Sequence, residues 1–188
     1  GGVPAAVSLK NQQYWEIRDL QVTNVDPNTS TWYSQQRRGV VVALQDFGQA
    51  NYFRLIGLNV HDVYGENKKD LGGSGGIQFE IAASSTASAQ VKSSFNDVLI
   101  ANNIVNNVNR SGINMSTAWR CRPSVGTTVN CANGGLPWVP WTNLIIRGNT
   151  VQSTGGRAKH RNRGREPRKW VQCRPLGLEL RRNGIPVQ

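Results

Sequence analysis

Apolar residues recur along this chain in short blocks that repeat. Four segments align without gaps: "IRDLQVTNV" from Ile17, "LIGLNVHDV" from Leu55, "IANNIVNNV" from Ile100 and "IRGNTVQST" from Ile146. In that register Ile17, Leu55, Ile100 and Ile146 share one position, and Val22, Val60, Val105 and Val151 share another. Leu20, Leu58, Asn103 and Asn149 lie between them, and Val25, Val63, Val108 and Thr154 close the block. The apolar sites are β-branched or Leu, the choice of short buried strands. A second motif follows each of the first three copies: Gly39-Val40-Val41-Val42, Gly76-Ile77-Gln78-Phe79 and Gly112-Ile113-Asn114-Met115. One unit therefore reads as strand, turn, Gly, strand, and the unit starts are separated by 38, 45 and 46 residues.

The spacing is not 3.6-periodic, and Gly and Asn are too frequent inside the blocks for helices. A β-sandwich would join alternating strands by tight hairpins, whereas these turns are long and the units repeat. Stacked coils account for both facts, each strand lying on its equivalent about 4.8 Å away. The expected fold is all-β, a right-handed parallel β-helix over residues 1–156, incomplete at both ends. Asn102, Asn103, Asn106 and Asn107 suit turns, since Asn tolerates left-handed backbone and can satisfy turn amides.

Charge changes the picture only at one end. The chain carries a formal net charge of +11, which on its own invites a nucleic-acid reading. Residues 1–156 hold 12 Lys+Arg against 9 Asp+Glu, a net of +3, while residues 157–188 hold 10 against 2, a net of +8. The β pattern stops where the arginines surge, at "RAKHRNRGREPRKWVQCRPLGLELRRNGIPVQ". A basic disordered arm is one reading of that tail. The abrupt break in mid-repeat favours another, a stretch read out of frame. Either way the tail is expected to lie outside the fold, and nucleic acid is not the expected partner. Cys121 and Cys131 sit in a Pro/Gly-rich loop with no other ligands at zinc spacing. A disulfide closing that loop is expected, which implies an oxidising compartment; the alternative is two free buried thiols. No apolar run is long enough to span a membrane, and no signal peptide opens the chain.

The segments "YWEIRDLQVTN", "HDVYGENKKDLGGSGGIQFEI", "NRSGINMSTAWRCRP" and "WTNLIIRGNTVQSTGG" resemble the parallel β-helix repeat proteins among secreted bacterial carbohydrate-active enzymes. The resemblance covers about residues 5–156. It implies a pectin-lyase-like fold, a secreted protein, and action on polysaccharide as a glycoside hydrolase or polysaccharide lyase. A non-catalytic glycan-binding or cell-surface scaffold is the alternative. Such proteins are usually longer, and "AAVSLKNQQYWEI" looks like the end of an earlier strand, so an N-terminally incomplete piece is expected. No obligate protein partner is evident.

Long loops on one side of a solenoid usually build its site. Three are candidates: residues 26–38 with Trp32, Tyr33, Arg37 and Arg38, residues 61–76, and residues 116–141. The second has the densest chemistry, with His61, Asp62, Glu66, Lys68, Lys69 and Asp70. Glycoside hydrolysis needs two carboxylates facing one sugar bond. A lyase needs a base and a cation to neutralise the uronate carboxylate. Asp62, Glu66, Asp70, Lys69 and His61 are therefore the candidate catalytic residues, against the plainer reading of a solvated polar loop in which Asp62 caps a turn. Arg38 and Arg110 each precede a strand of the second motif and are candidates for binding acidic sugars on one face. Trp119, Trp138 and Trp141 form a candidate sugar-stacking platform, unless they cover the core beneath the loop. Lyases of this fold can use calcium, but there is no run of carboxylates at regular loop spacing, and no metal or other cofactor is assigned. A phosphate-binding loop is excluded because "GGSGG" lacks the Lys-Ser/Thr ending.

Overall fold

A computed structural model describes residues 3–31, 34–67, 73–122, 131 and 135–155. Residues 157–188, where the basic tail was expected to stand apart from the coils, lie outside the described residues. Twelve strands run in chain order: β1 (Ala5–Lys10), β2 (Trp15–Arg18), β3 (Gln21–Asn24), β4 (Arg38–Gln45), β5 (Gln49–Ile56), β6 (Asn59–Val63), β7 (Gly75–Ala82), β8 (Ser94–Ala101), β9 (Ile104–Val108), β10 (Ser111–Thr117), β11 (Thr142–Arg147) and β12 (Thr150–Thr154). They form three four-stranded sheets, β1-β4-β7-β10, β2-β5-β8-β11 and β3-β6-β9-β12. Every pairing between them is parallel. Each run of three strands is one coil, and the chain forms a parallel β-helix.

The repeat residues stack as the sequence aligned them. Ile17 pairs with Leu55, Leu55 with Ile100 and Ile100 with Ile146. Val22, Val60, Val105 and Val151 form a second file. Val40, Ile77 and Ile113 form a third, and Val42, Phe79 and Met115 a fourth. Inside, Phe79 meets Phe95 and Phe53 edge to face at 5.1 and 5.9 Å, and Phe53 meets Phe95 at 5.5 Å.

Two features of the coil differ from the expectation. The nine-residue block read as one strand is two strands, broken at Asp19, Gly57, Asn102 and Gly148. All four have left-handed backbone, with φ of 51, 68, 56 and 63°, and turn the chain from the second sheet to the third. These residues cross that region cheaply, Gly for want of a Cβ and Asp and Asn through local side-chain hydrogen bonds. The first coil also departs from the register at its end. Asn24, not Val25, pairs with Val63 across an irregularity after Val22, and Val25 is exposed. Asn24 is buried there because its amide donates to the carbonyls of Val3 and Arg38, at 2.7 and 2.9 Å.

The turn slot after the left-handed residue holds a side-chain ladder. Asn149 Oδ1 accepts from Asn103 Nδ2 at 2.8 Å and from the Asn103 backbone at 3.0 Å. Asn103 in turn accepts from the Leu58 backbone at 2.8 Å and donates to the Leu55 carbonyl at 3.0 Å. The ladder stops at Leu58, and in the first coil the slot is held by Leu20, which is exposed. Buried polar groups are tolerated here because each has its partner.

The conserved spacing of glycines at the third corner has a steric cause. Gly39, Gly76 and Gly112 sit where the third sheet's valines approach the start of the first sheet. A Cβ on Gly76 would fall 2.5 Å from Val105 Cγ1 and 2.7 Å from the Gly112 carbonyl oxygen. Only Gly fits such a close approach.

Candidate functional site

Connections from the third sheet to the first are long in the first two coils, residues 25–37 and 64–74, and they pack on one another. Glu66 donates its backbone N–H to the Gln35 carbonyl at 2.7 Å, and Gly75 to the Arg37 carbonyl at 3.1 Å. Ser74 Oγ accepts from the Arg37 backbone at 3.2 Å. Arg37 is buried with its guanidinium on Asp26 at 2.7 Å. The third candidate loop, residues 116–141, leaves from the opposite corner, between the first and second sheets.

The outer face of the first sheet lies between these corners and holds a groove of about 380 Å³. It is lined by Ser8, Val41, Ala43 and Ala82 and by the polar and charged Lys10, Arg38, Gln45 and Glu80, with Leu44 and the chain at Pro4 and Ala5 completing it. Strand register sets this pattern, because Lys10 pairs with Ala43 and Ala43 with Glu80, so a small residue separates a cation from a carboxylate. Arg38 is held firmly. Its Nε donates to Gln78 Oε1 at 2.9 Å and the Gly73 carbonyl at 3.0 Å, and Nη2 donates to Gln36 Oε1 at 3.0 Å and lies 3.4 Å from Glu80. Gln78 faces outward yet is fully buried. Arg110 approaches the same turn: a Cβ on Gly73 would fall 1.9 Å from its Nη1. Arg38 and Arg110 thus meet at Gly73.

His61 and Asp62 lie elsewhere, on the outer side of the third sheet. Asp62 has left-handed backbone, φ 52°, as do Asn107 and Ser153 in the next coils, φ 53 and 51°. Tyr64 donates to Asp62 Oδ1 and His61 Nδ1 lies on Oδ2, both at 2.7 Å. Gln21 Nε2 is 2.7 Å from His61 Nε2. An amide donating there leaves the ring proton on Nδ1, which donates to Asp62. The Tyr64 hydroxyl and His61, with a smaller contribution from the Asn107 amide, hold the Asp62 carboxyl below the usual carboxylate range. A depressed folded pKa contributes stability above the unfolded value of about 4 and loses it as pH falls through the folded one. Asp62→Asn keeps a residue suited to the left-handed backbone. It is expected to flatten the loss of stability in urea titrations as pH falls below about 5; an unchanged acid limb would show that the network contributes nothing.

The remaining candidates are dispersed. Glu66 is buried within its loop, and Asp62 is occupied by its neighbours, so the two do not present a pair of carboxylates. Lys69 and Asp70 lie outside the described residues, as do Lys68, Trp32 and Tyr33. Trp119 is 4% exposed and belongs to the core, so its ring has no face to offer a sugar. Trp141 packs edge-on against Phe95 at 4.9 Å. Trp138 is exposed beneath the Arg122 guanidinium, 3.5 Å from its ring centre, and shares a cleft of about 340 Å³ with Trp141. Cys121 and Cys131 are joined as a disulfide. Among the described residues no group of three or more His, Cys, Asp and Glu is placed to hold a metal ion, and no helix is long and apolar enough to cross a membrane. Lys10 and Glu80, which line the groove, were not singled out in the sequence. Their signal is the alternation of strand faces, legible only once the register of the first sheet is known. No protein-family model matches the chain, and no curated protein matches it.

Proposed function

We propose that this protein is a secreted, pectin-lyase-like β-helix that engages an acidic polysaccharide along the outer face of its first sheet. The observation that carries this reading is the groove itself, with a fixed arginine and an exposed lysine beside a largely apolar lining of Val41, Ala43 and Ala82. The Arg38 guanidinium, fixed by Gln78, Gln36 and the Gly73 carbonyl and 3.4 Å from Glu80, loses little freedom on meeting a carboxylate of the ligand. The disulfide supports an oxidising compartment.

Cleavage is a second reading, favoured by Lys10 and Arg38 lining one groove, a base and a neutralising cation of the kind a lyase needs. Glu80 is the carboxylate of that lining, one where glycoside hydrolysis requires two. Incubation with polygalacturonate separates the readings. A lyase generates unsaturated, UV-absorbing ends, a hydrolase new reducing ends alone, and a binding protein neither.

Binding is tested by titrating polygalacturonate into the full chain and its variants. Lys10→Glu and Arg38→Ala are each expected to weaken binding about tenfold, the worth of one charge-assisted contact, with the effect of Lys10 shrinking as salt rises. Wild-type affinity in both variants would remove the groove as the site.

A further inference from the structure

The outer face of the second sheet is built differently. Once per coil the chain bends at a left-handed residue, and Tyr14, Tyr52, Asp97 and Asn143 occupy that slot with φ of 63, 61, 57 and 51°. The flanking pairs Trp15–Phe53, Phe53–Val98 and Val98–Leu144 fix their equivalence. Asp and Asn suit left-handed backbone, whereas a bulky residue is strained there by about 1 kcal/mol. The third and fourth coils show how the slot is filled when only the bend matters. The first two place phenol rings there instead, and burial does not compensate: Tyr14 is 66% exposed.

The second ring is held in place. The Tyr52 hydroxyl donates to Glu16, and the Arg54 guanidinium lies 4.1 Å from the ring centre. Arg54 is fixed by both oxygens of Asp97 at 2.8 and 3.0 Å, and Glu16 by Arg18 at 2.7 Å. Beside the bend runs a row of amides: Asn51 donates to Gln13 at 3.3 Å, and Asn96 to Asn51 at 2.9 Å. On its other side Leu99 and Ile145 continue the row begun by Arg54. Ring faces occupy the first two coils and an aliphatic strip the last two, with the row of amides beside them, and the coils repeat at a rise of about 4.8 Å.

We infer that this face binds a neutral, flat-ribbon polysaccharide of the β-1,4-linked glucan type, its sugar rings stacked on Tyr14 and the Tyr52–Arg54 pair and its hydroxyl edge on the amide row. A ribbon of this kind has apolar ring faces and hydroxyl rims, and one sugar is close in length to one coil. Glu16 and Asp97 are paired with Arg18 and Arg54, which leaves Arg147 beside Ala101 as the unbalanced charge among the described residues of the face, so the face is close to neutral and suits a neutral chain. Strained residues persist where function retains them, and here the strain falls on the two rings. The inference shares the premise of a polysaccharide partner but does not depend on the groove of the first sheet.

The test is titration of cellohexaose into the full chain, followed by calorimetry. The double variant Tyr14→Asn/Tyr52→Asn copies the fourth coil, so it is expected to melt at or above the wild-type temperature. Cellohexaose affinity is expected to fall about tenfold or more with both rings gone, while polygalacturonate binding stays unchanged. Lys10→Glu should leave cellohexaose binding intact. Should the double variant fail to fold, Tyr14→Asn alone serves, since that ring is mostly in solvent. The inference is overturned if wild type does not bind cellohexaose, or if the folded variant binds it equally well. Loss through Lys10→Glu instead, or a wild-type dimer that the variant abolishes, would overturn it too.

Discussion

Gly76→Ala is expected to destabilise the fold by about 3 kcal/mol, an overpacking penalty at the top of the usual range. The added methyl meets Val105 Cγ1 at 2.5 Å and the Gly112 carbonyl oxygen at 2.7 Å. The valine is stiff about χ1, and the carbonyl belongs to the strand stacked on the next coil. Neither can give way without disturbing the sheet that bears the groove. Gly48→Ala is the matched control. Gly48 has φ of 93° but nothing within 4 Å of an added Cβ, so backbone strain alone applies, roughly 1 kcal/mol. Urea denaturation of the two variants should show a clear difference in midpoint. If both lose the same amount, close approach at the third corner is not what requires glycine there.

Asn103→Leu tests the ladder. Leucine occupies the same slot one coil earlier, as Leu58, so its shape is acceptable to the turn. The chemistry is not. Removing the amide takes the acceptor from the Leu58 N–H, a donor from the Leu55 carbonyl and the partner of Asn149. A buried group left without its hydrogen bond costs about 1–3 kcal/mol, so the loss is expected to reach roughly 2–5 kcal/mol for the set. Hydrogen exchange adds a local signature, with the Leu58 amide losing protection ahead of the core strands. A variant as stable as wild type would mean that water replaces the ladder at no cost.

The repeat was legible because burial repeats. Ile17, Leu55, Ile100 and Ile146 had to be apolar since each covers the next, and the file could be read with no knowledge of the coil's shape. The number of sheets was harder to see. Asp19, Gly57, Asn102 and Gly148 mark the corner between the second and third sheets, but they stand inside an apolar block that looks continuous. Asp, Gly and Asn share a tolerance for left-handed backbone rather than a side chain, so an alignment by hydrophobicity passes over them. The same limit hid the bend of the second sheet, where Tyr14 and Tyr52 stand in the slot that Asp97 and Asn143 fill in the later coils. The chemical candidates were read from density of charge along the chain. Strands instead sort charge by face and by coil, which put Asp62 on the third sheet, Arg38 on the first, and Trp119 inside. The groove was least legible of all, since its lining includes Ala43 and Ala82, residues with no chemical signal of their own.

The direction of the pairing has a mechanical consequence. All the hydrogen bonds between coils point along the stack, whereas the covalent backbone runs around it. Pulled along the stack, the coils are loaded in series and the bonds at one end coil are expected to give way in turn rather than together. Pulled across it, along the strands, the bonds of a sheet are loaded together in shear. The protein is therefore expected to be softer along the stack than along its strands.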